Sequence, residues 1–161
     1  MNFQAEIKKY FLPFLILVAL IVVLLFATKK SPNSAPVSDE PTIKNGLIVQ
    51  EVDKNQVPAK FPSDVPIESD AQILQNFNAI TDDGRFQATR VFRTKKSLAD
   101  NLSIYKNFLT ESGFKVESTV NTPTYKMVTG TKGNTTIQAS IDENSQSHAK
   151  TVNISYVEVA R

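Results

Sequence analysis

The chain has 161 residues, 41% of them hydrophobic, no cysteine and a formal net charge of +2. Without cysteine it can form no disulfide, thiolate nucleophile or cysteine-ligated metal site. The charge surplus is no argument for nucleic acid, and no nucleic-acid partner is expected. Lys8, Lys9, Lys29, Lys30 and Glu6 account for it, and residues 31–161 hold 14 basic against 15 acidic side chains.

The first element is residues 10–28, YFLPFLILVALIVVLLFAT, which carry no charge and are closed by two lysines at each end. At about 1.5 Å per residue, a helix of this length crosses a hydrocarbon core of roughly 30 Å. A cleaved signal peptide has an apolar region of about 7 to 15 residues followed by a small-x-small site. Here the run is longer, and Leu25-Phe26-Ala27 puts Phe where a small residue is needed. An uncleaved, single-pass signal anchor is therefore expected, with the lipid bilayer as its partner. The flanking lysines balance in the positive-inside count. The terminal amine and the short tail of residues 1–9 favour a cytoplasmic N-terminus and an extracytoplasmic C-terminal domain at the plasma membrane.

Residues 31–42, SPNSAPVSDEPT, combine three prolines with small polar residues and read as linker. Residues 43–60 hold one short apolar run, Leu47 to Val49, which reads either as a strand or as a segment that packs on the domain later; the whole of 29–60 is expected to be a partly disordered linker. At FPSDVPI (Phe61 to Ile67) two prolines four apart restrict the residue before each to extended backbone. This stretch resembles the F-P-x-D-V-P-I/V lead-in of small bacterial membrane-anchored or lipoprotein-like proteins, which continue with Y-P-G-A before a β-β-α-β domain. Here Glu68-Ser69-Asp70-Ala71 follows instead, keeping only the alanine. The resemblance implies an architecture and a location, and no activity.

From Ala71 to Ile80 the period is two, with Ala71, Ile73, Phe77 and Ala79 on one expected face; Leu74 and Ile80 break the alternation. Thr81-Asp82-Asp83-Gly84 reads as a turn, and Phe86, Ala88 and Phe92 alternate with Gln87, Thr89 and Arg93 in a second strand. Ser97 to Ser112 is the one helix: Ser97 caps it, Asp100 suits its positive end, and Leu98, Leu102, Tyr105, Phe108 and Leu109 form an apolar stripe. Gly113 suits a left-handed C-terminal residue, with Phe114 packing back on Leu109. Strands are expected at 114–121, 125–131, 135–141 and 151–159. The fold class is thus α+β. One N-terminal transmembrane helix and a linker lead to a domain over 61–161, a mostly antiparallel sheet of about six strands with one helix on one face (β-β-α-β-β-β-β). The second face is expected to carry Leu74, Ile80, Val91 and Val128, needing cover from residues 43–58 or from a partner.

No residue pattern selects an activity. His148, the only histidine, has no sequence-local partner, and a nucleophile or metal site needs several convergent groups. Asp64, Glu68 and Asp70, like Asp82-Asp83 and Asp142-Glu143, lack the calcium-loop pattern. No metal, cofactor or catalytic residue is assigned. Three glycosylation-like triplets, at Asn101, Asn134 and Asn153, carry no weight. The densest basic run, Arg85, Arg90, Arg93, Lys95 and Lys96, is the candidate partner-binding surface, for an envelope protein or an anionic polymer; its alternative is a charge-protected strand. The function expected is a non-enzymatic binding or structural module at the cell envelope. The alternatives are an envelope hydrolase using carboxylates, which requires Asp64, Glu68 or Asp70 to converge with another acid, and a pilin-like subunit, which the Ser31-Pro32 break opposes.

Overall fold

The computed structural model describes residues 41–44, 47–81 and 83–159. They form one antiparallel sheet of eight strands and one helix. The strands are β1 (Thr42–Lys44), β2 (Leu47–Val52), β3 (Gln72–Thr81), β4 (Phe86–Thr94), β5 (Lys115–Asn121), β6 (Tyr125–Lys132), β7 (Thr135–Glu143) and β8 (Lys150–Glu158), with helix α1 (Leu98–Glu111) between β4 and β5. In space the strands run β1-β2-β3-β4-β8-β7-β6-β5. The chain thus lays down one four-stranded meander, crosses through α1 to the far edge, and returns strand by strand until β8 pairs with β4.

The expected β-β-α-β-β-β-β order, with about six strands behind a transmembrane helix, is therefore corrected to β-β-β-β-α-β-β-β-β. Among the described residues no helix is long and apolar enough to cross a membrane, and the helix expected over 10–28 lies outside them. The two extra strands fall within the expected linker 29–60. A run as short as Leu47–Val49 has too few residues to show a period; β2 is a strand because six successive residues pair with β3, from Leu47↔Thr81 to Val52↔Asn76. Of residues 43–58, those up to Val52 consequently extend the sheet, and 53–58 begin the segment that lies on the helix-side face; neither part covers the second face.

A bulge between Ile73 and Gln75 also reassigns the faces of β3. Leu74 is the extra residue, and beyond it the alternation resumes with opposite phase. Ile73 pairs with Phe92 on the helix side, whereas Phe77 and Ala79 pair with Thr89 and Gln87 on the other. Ile80 and Val128 likewise belong to the helix side, and Val128 is completely buried there.

The core lies under α1 and under the irregular, turn-rich segment 53–71. Ile137, Ala139 and Ile141 of β7, Val152 and Ile154 of β8, Val128 of β6 and Ala88 and Phe92 of β4 meet Leu98, Tyr105 and Leu109 of the helix. Ser97 caps α1, its Oγ accepting from the Asp100 N–H at 3.0 Å. At the other end Gly113 (φ +76°) allows Phe114 N–H to reach Leu109 O at 2.8 Å and Gly113 N–H to reach Thr110 O at 3.1 Å, a Schellman closure. The helix seats closely on β6: a Cβ on Gly130 would stand 3.1 Å from both Leu109 Cδ2 and Phe114 Cβ.

Segment 53–71 covers the β3–β4–β8 half of the same face. The Asn76 amide donates to the carbonyls of Asp53, Lys54 and Gln56 at 3.0, 3.2 and 2.7 Å, tying down its start. Phe61 and Val65 then enter the core, and the Tyr105 hydroxyl donates to Pro66 O at 3.0 Å. The apolar positions of FPSDVPI thus plug the uncovered part of this face, and the path is set by turns rather than by extended backbone, with Phe61 N–H reaching Pro58 O at 3.1 Å and Val65 N–H reaching Pro62 O at 3.4 Å.

Phe61→Ala should destabilise the domain by about 3–5 kcal/mol through lost burial and the cavity left behind. Chemical denaturation of the variant checks this; a loss below about 1 kcal/mol would mean that the segment lies on the fold without being part of it. The β3–β4 turn gives a pH prediction. The Arg85 guanidinium (Nε to Asp83 at 2.9 Å) and then the Thr81 hydroxyl hold the Asp83 carboxyl down to about 2 from its usual 3.8. A depressed folded-state pKa gives stability that is present above about 3.8 and lost as pH falls towards 2. Asp83→Asn should therefore cost up to about 1 kcal/mol near neutral pH, limited by the exposure of the pair. The gap to wild type should close between about pH 4 and pH 2 in a series of thermal melts.

Candidate functional site

The five residues of the basic run do not form one surface. Arg85 sits in the β3–β4 turn, paired with Asp83. Arg90 is half-buried on the helix side, with Nε 3.2 Å from Asn76 Oδ1 and its guanidinium 5.9 Å above the Phe61 ring; burial lowers its pKa. Alternation along β4 sends Arg93 to the opposite face, and Lys95 and Lys96 lie beyond the strand's end.

Arg93 and Lys95 do come together, in a cleft of about 260 Å³ at the end of the sheet where β4 stops and β8 begins. Its walls are Glu68, Asp70, Ala71 and Gln72 from the segment entering β3, Arg93, Thr94 and Lys95 from β4, and His148, Ala149 and Lys150 from the loop opening β8. Lys96 lines a neighbouring depression of about 240 Å³ with Glu68, Asn101 and Tyr105. Three elements distant in sequence are brought here by the pairing Gln72↔Arg93 and Thr94↔Lys150.

The electrostatics of the cleft are divided. Lys95 Nζ lies 2.6 Å from Asp70 Oδ2, and this contact pulls the Asp70 carboxyl below its usual range and raises the Lys95 ammonium. Glu68 accepts the Thr94 hydroxyl, whose oxygen in turn accepts from the Lys96 N–H at 3.1 Å and the buried Asn101 amide at 3.3 Å. Arg93 reaches only the neutral Gln72 amide, at 3.4 Å. Among the described residues, neither Arg93 nor Lys150 has an ion-pair partner.

The loop before β8 is shaped by its own polar groups. Asn144 Oδ1 accepts from Gln146 N–H and Ser147 N–H at 3.0 and 2.9 Å, and His148 adopts a left-handed φ of +52°. His148 Nδ1 lies 3.0 Å from Glu143. Among the described residues no group of three or more His, Asp or Glu is placed to hold a metal ion.

No family model, curated protein or solved structure matches the chain. Its chemistry is therefore read from this geometry alone. Arg93 and Lys150, neither of them ion-paired among the described residues, both line this shallow cleft, and Glu68 and Asp70 beside them already have partners. A lining of this kind has the charge to attract an anionic group.

A second polar feature is closed to solvent. On the face away from α1, Ser118, Thr129, Gln138, Ser155 and Thr89 follow one another across β5, β6, β7, β8 and β4 in register. Gln87 Nε2 donates to Thr89 Oγ1 at 2.9 Å, and Thr89 and Ser155 hydroxyls lie 3.1 Å apart. Thr89, Thr129 and Ser155 are at most 2% exposed, and the Ser118 and Thr129 hydroxyl oxygens have no hydrogen-bond partner among the described residues.

Sequence reasoning missed Lys150, Thr94 and Gln72. A signal for Lys150 existed, since it opens a strand directly after a polar loop. Thr94 and Gln72 acquire their roles only through cross-strand pairing. Thr94→Val should leave Glu68 without its donor and Asn101 without one acceptor, costing about 1–3 kcal/mol in a urea denaturation series. Thr94→Ser, which keeps the hydroxyl, should stay within about 1 kcal/mol of wild type.

Proposed function

We propose that the chain is a single-pass membrane protein, anchored through residues 10–28 with its N-terminus in the cytoplasm, and that its extracytoplasmic domain is a non-enzymatic binding module of the cell envelope. The site is the cleft between Arg93 and Lys150, and its ligand is an anionic group on an envelope polymer or protein. The observation that carries this reading is the pair of cations without an acidic partner among the described residues, set in a cleft whose carboxylates are already engaged. Anchoring rests on the length and flanks of the uncharged stretch. The lead-in resemblance supports the same location.

The alternative of a carboxylate hydrolase draws on the meeting of Glu68 and Asp70 in one cleft. A general acid needs a carboxyl whose pKa is raised, whereas Lys95 lowers that of Asp70. The chemistry here favours binding.

The test uses the full chain in nanodiscs of zwitterionic lipid, with fluorescein-labelled poly(glycerol phosphate) and polyglutamate as probes. Wild type should raise the anisotropy of at least one probe at low salt, with affinity falling as ionic strength rises. The double variant Arg93→Glu/Lys150→Glu should bind at least ten-fold more weakly, while Arg85→Glu should bind as wild type. Absence of binding by wild type, or equal loss in Arg85→Glu, would overturn the assignment of the cleft.

A further inference from the structure

We infer that the cleft selects a zwitterionic unit of an envelope polymer, an anionic group with a primary amine a few bonds away, and that Glu68 receives the amine. This rests on the reading of the cleft as an anion-binding site, and it names the class of ligand for that site.

The observation is a carboxylate fixed in place without a counter-ion. Glu68 accepts the Thr94 hydroxyl, and the Thr94 oxygen itself accepts from the Lys96 backbone N–H at 3.1 Å and the Asn101 amide at 3.3 Å. A hydroxyl has one proton and two lone pairs. Both lone pairs are taken here, so the proton is committed to Glu68. Thr94 and Asn101 are buried, at 8% and 1% exposed, which anchors the network in the interior. Every donor in it is a neutral group. Glu68 belongs to none of the ion pairs among the described residues, and the Lys95 ammonium in the same cleft is held by Asp70 at 2.6 Å.

Charge of both signs is thus uncompensated in one cleft, and Thr94 is where the two meet. Arg93 precedes it on β4, Lys150 faces it from β8, and Glu68 is hydrogen-bonded to it. Cross-strand partners have Cα atoms about 5 Å apart, so the three charged residues belong to one small neighbourhood. A ligand carrying only negative charge would gain from Arg93 and Lys150 and be repelled by Glu68. A ligand carrying only an ammonium would meet two cations. A unit with both charges suits all three residues through charge-assisted hydrogen bonds. The cleft, of about 260 Å³, has room for one such unit, and Glu68 forms the wall that it shares with the neighbouring depression.

The test titrates the full chain in phosphatidylcholine nanodiscs with two fluorescein-labelled poly(glycerol phosphate) preparations, one esterified with alanyl and one with lactyl groups, which differ by an ammonium in place of a hydroxyl. Ion exchange alone would favour the lactyl polymer, whose net negative charge is larger. Wild type should instead bind the alanyl polymer at least about five-fold more tightly. Glu68→Gln keeps an acceptor for the Thr94 hydroxyl and should melt as wild type, yet bind the two polymers alike. Arg93→Glu/Lys150→Glu should lose both. Equal or tighter binding of the lactyl polymer by wild type, or an alanyl preference that survives in Glu68→Gln, would overturn the inference and leave the anion site standing. Binding of neither polymer would remove the inference, and with polyglutamate also unbound, the anion site as well. Exchanging part of the phosphatidylcholine for phosphatidylethanolamine should leave polymer affinity unchanged; its loss would assign the site to an amine-bearing lipid headgroup and overturn the polymer as ligand.

Discussion

The structure depends on a shortfall of cover. A sheet of eight strands is about 34 Å wide, whereas a helix of fourteen residues is about 21 Å long and 10 Å across. One helix cannot bury one face of such a sheet. Helix α1 seats on β5, β6 and β7, with Gly130 allowing Leu109 to approach the strand backbone. The remainder falls to the turn-rich segment 53–71, whose Phe61 and Val65 join the same core as Leu109 and Ile154. An irregular segment can serve as cover only if its backbone polar groups are satisfied. The Asn76 amide and the Tyr105 hydroxyl contribute donors at its two ends.

Where that cover ends, the chemistry of the surface begins. At one end of β4 the covering segment turns into β3 and leaves a cleft between Glu68, Asp70, Arg93 and Lys150. At the other end, beyond Phe86, nothing among the described residues shields Ile48 and Ile80 to the degree that the core is shielded. Antiparallel pairing makes these ends distinct. Successive strands run in opposite directions, so residues far apart in sequence, such as Gln72, Arg93 and Lys150, share one end. Residues close in sequence, such as Arg85 and Arg93, are sent to opposite ends. A charge run along a strand is for this reason a poor guide to a charged surface: alternation divides it between faces, and strand length divides it between ends.

The polar row on the face away from α1 has a different role. Thr89, Ser155 and Gln87 satisfy one another across β4 and β8, so this face is held by hydrogen bonds between side chains as well as by Phe77, Met127 and Val157. Register is strongly specified by such pairs, since a slip of one residue would exchange hydroxyls for the apolar residues of the helix side.

Much of the domain was legible in its residues because the signals are local. Ser97, Asp100 and Gly113 delimit α1 by capping chemistry, and strands β4 and β8 announce themselves by alternation. The charge-free stretch over 10–28 and the absence of cysteine, with the exclusions that follow from it, are likewise properties of sequence alone. Tertiary structure decided what depends on distant partners. It decided that β1 and β2 are strands, since pairing of β2 with β3, and of β1 with β2, supplies what so short and weak a pattern does not. It decided that Leu74 is a bulge, which reverses the faces of Phe77 and Ala79. It divided the basic run and set Lys150 opposite Thr94, in the wall of the cleft that Arg93 also lines, because hydrogen bonding between strands sets register, and register has no expression within any one segment of the chain.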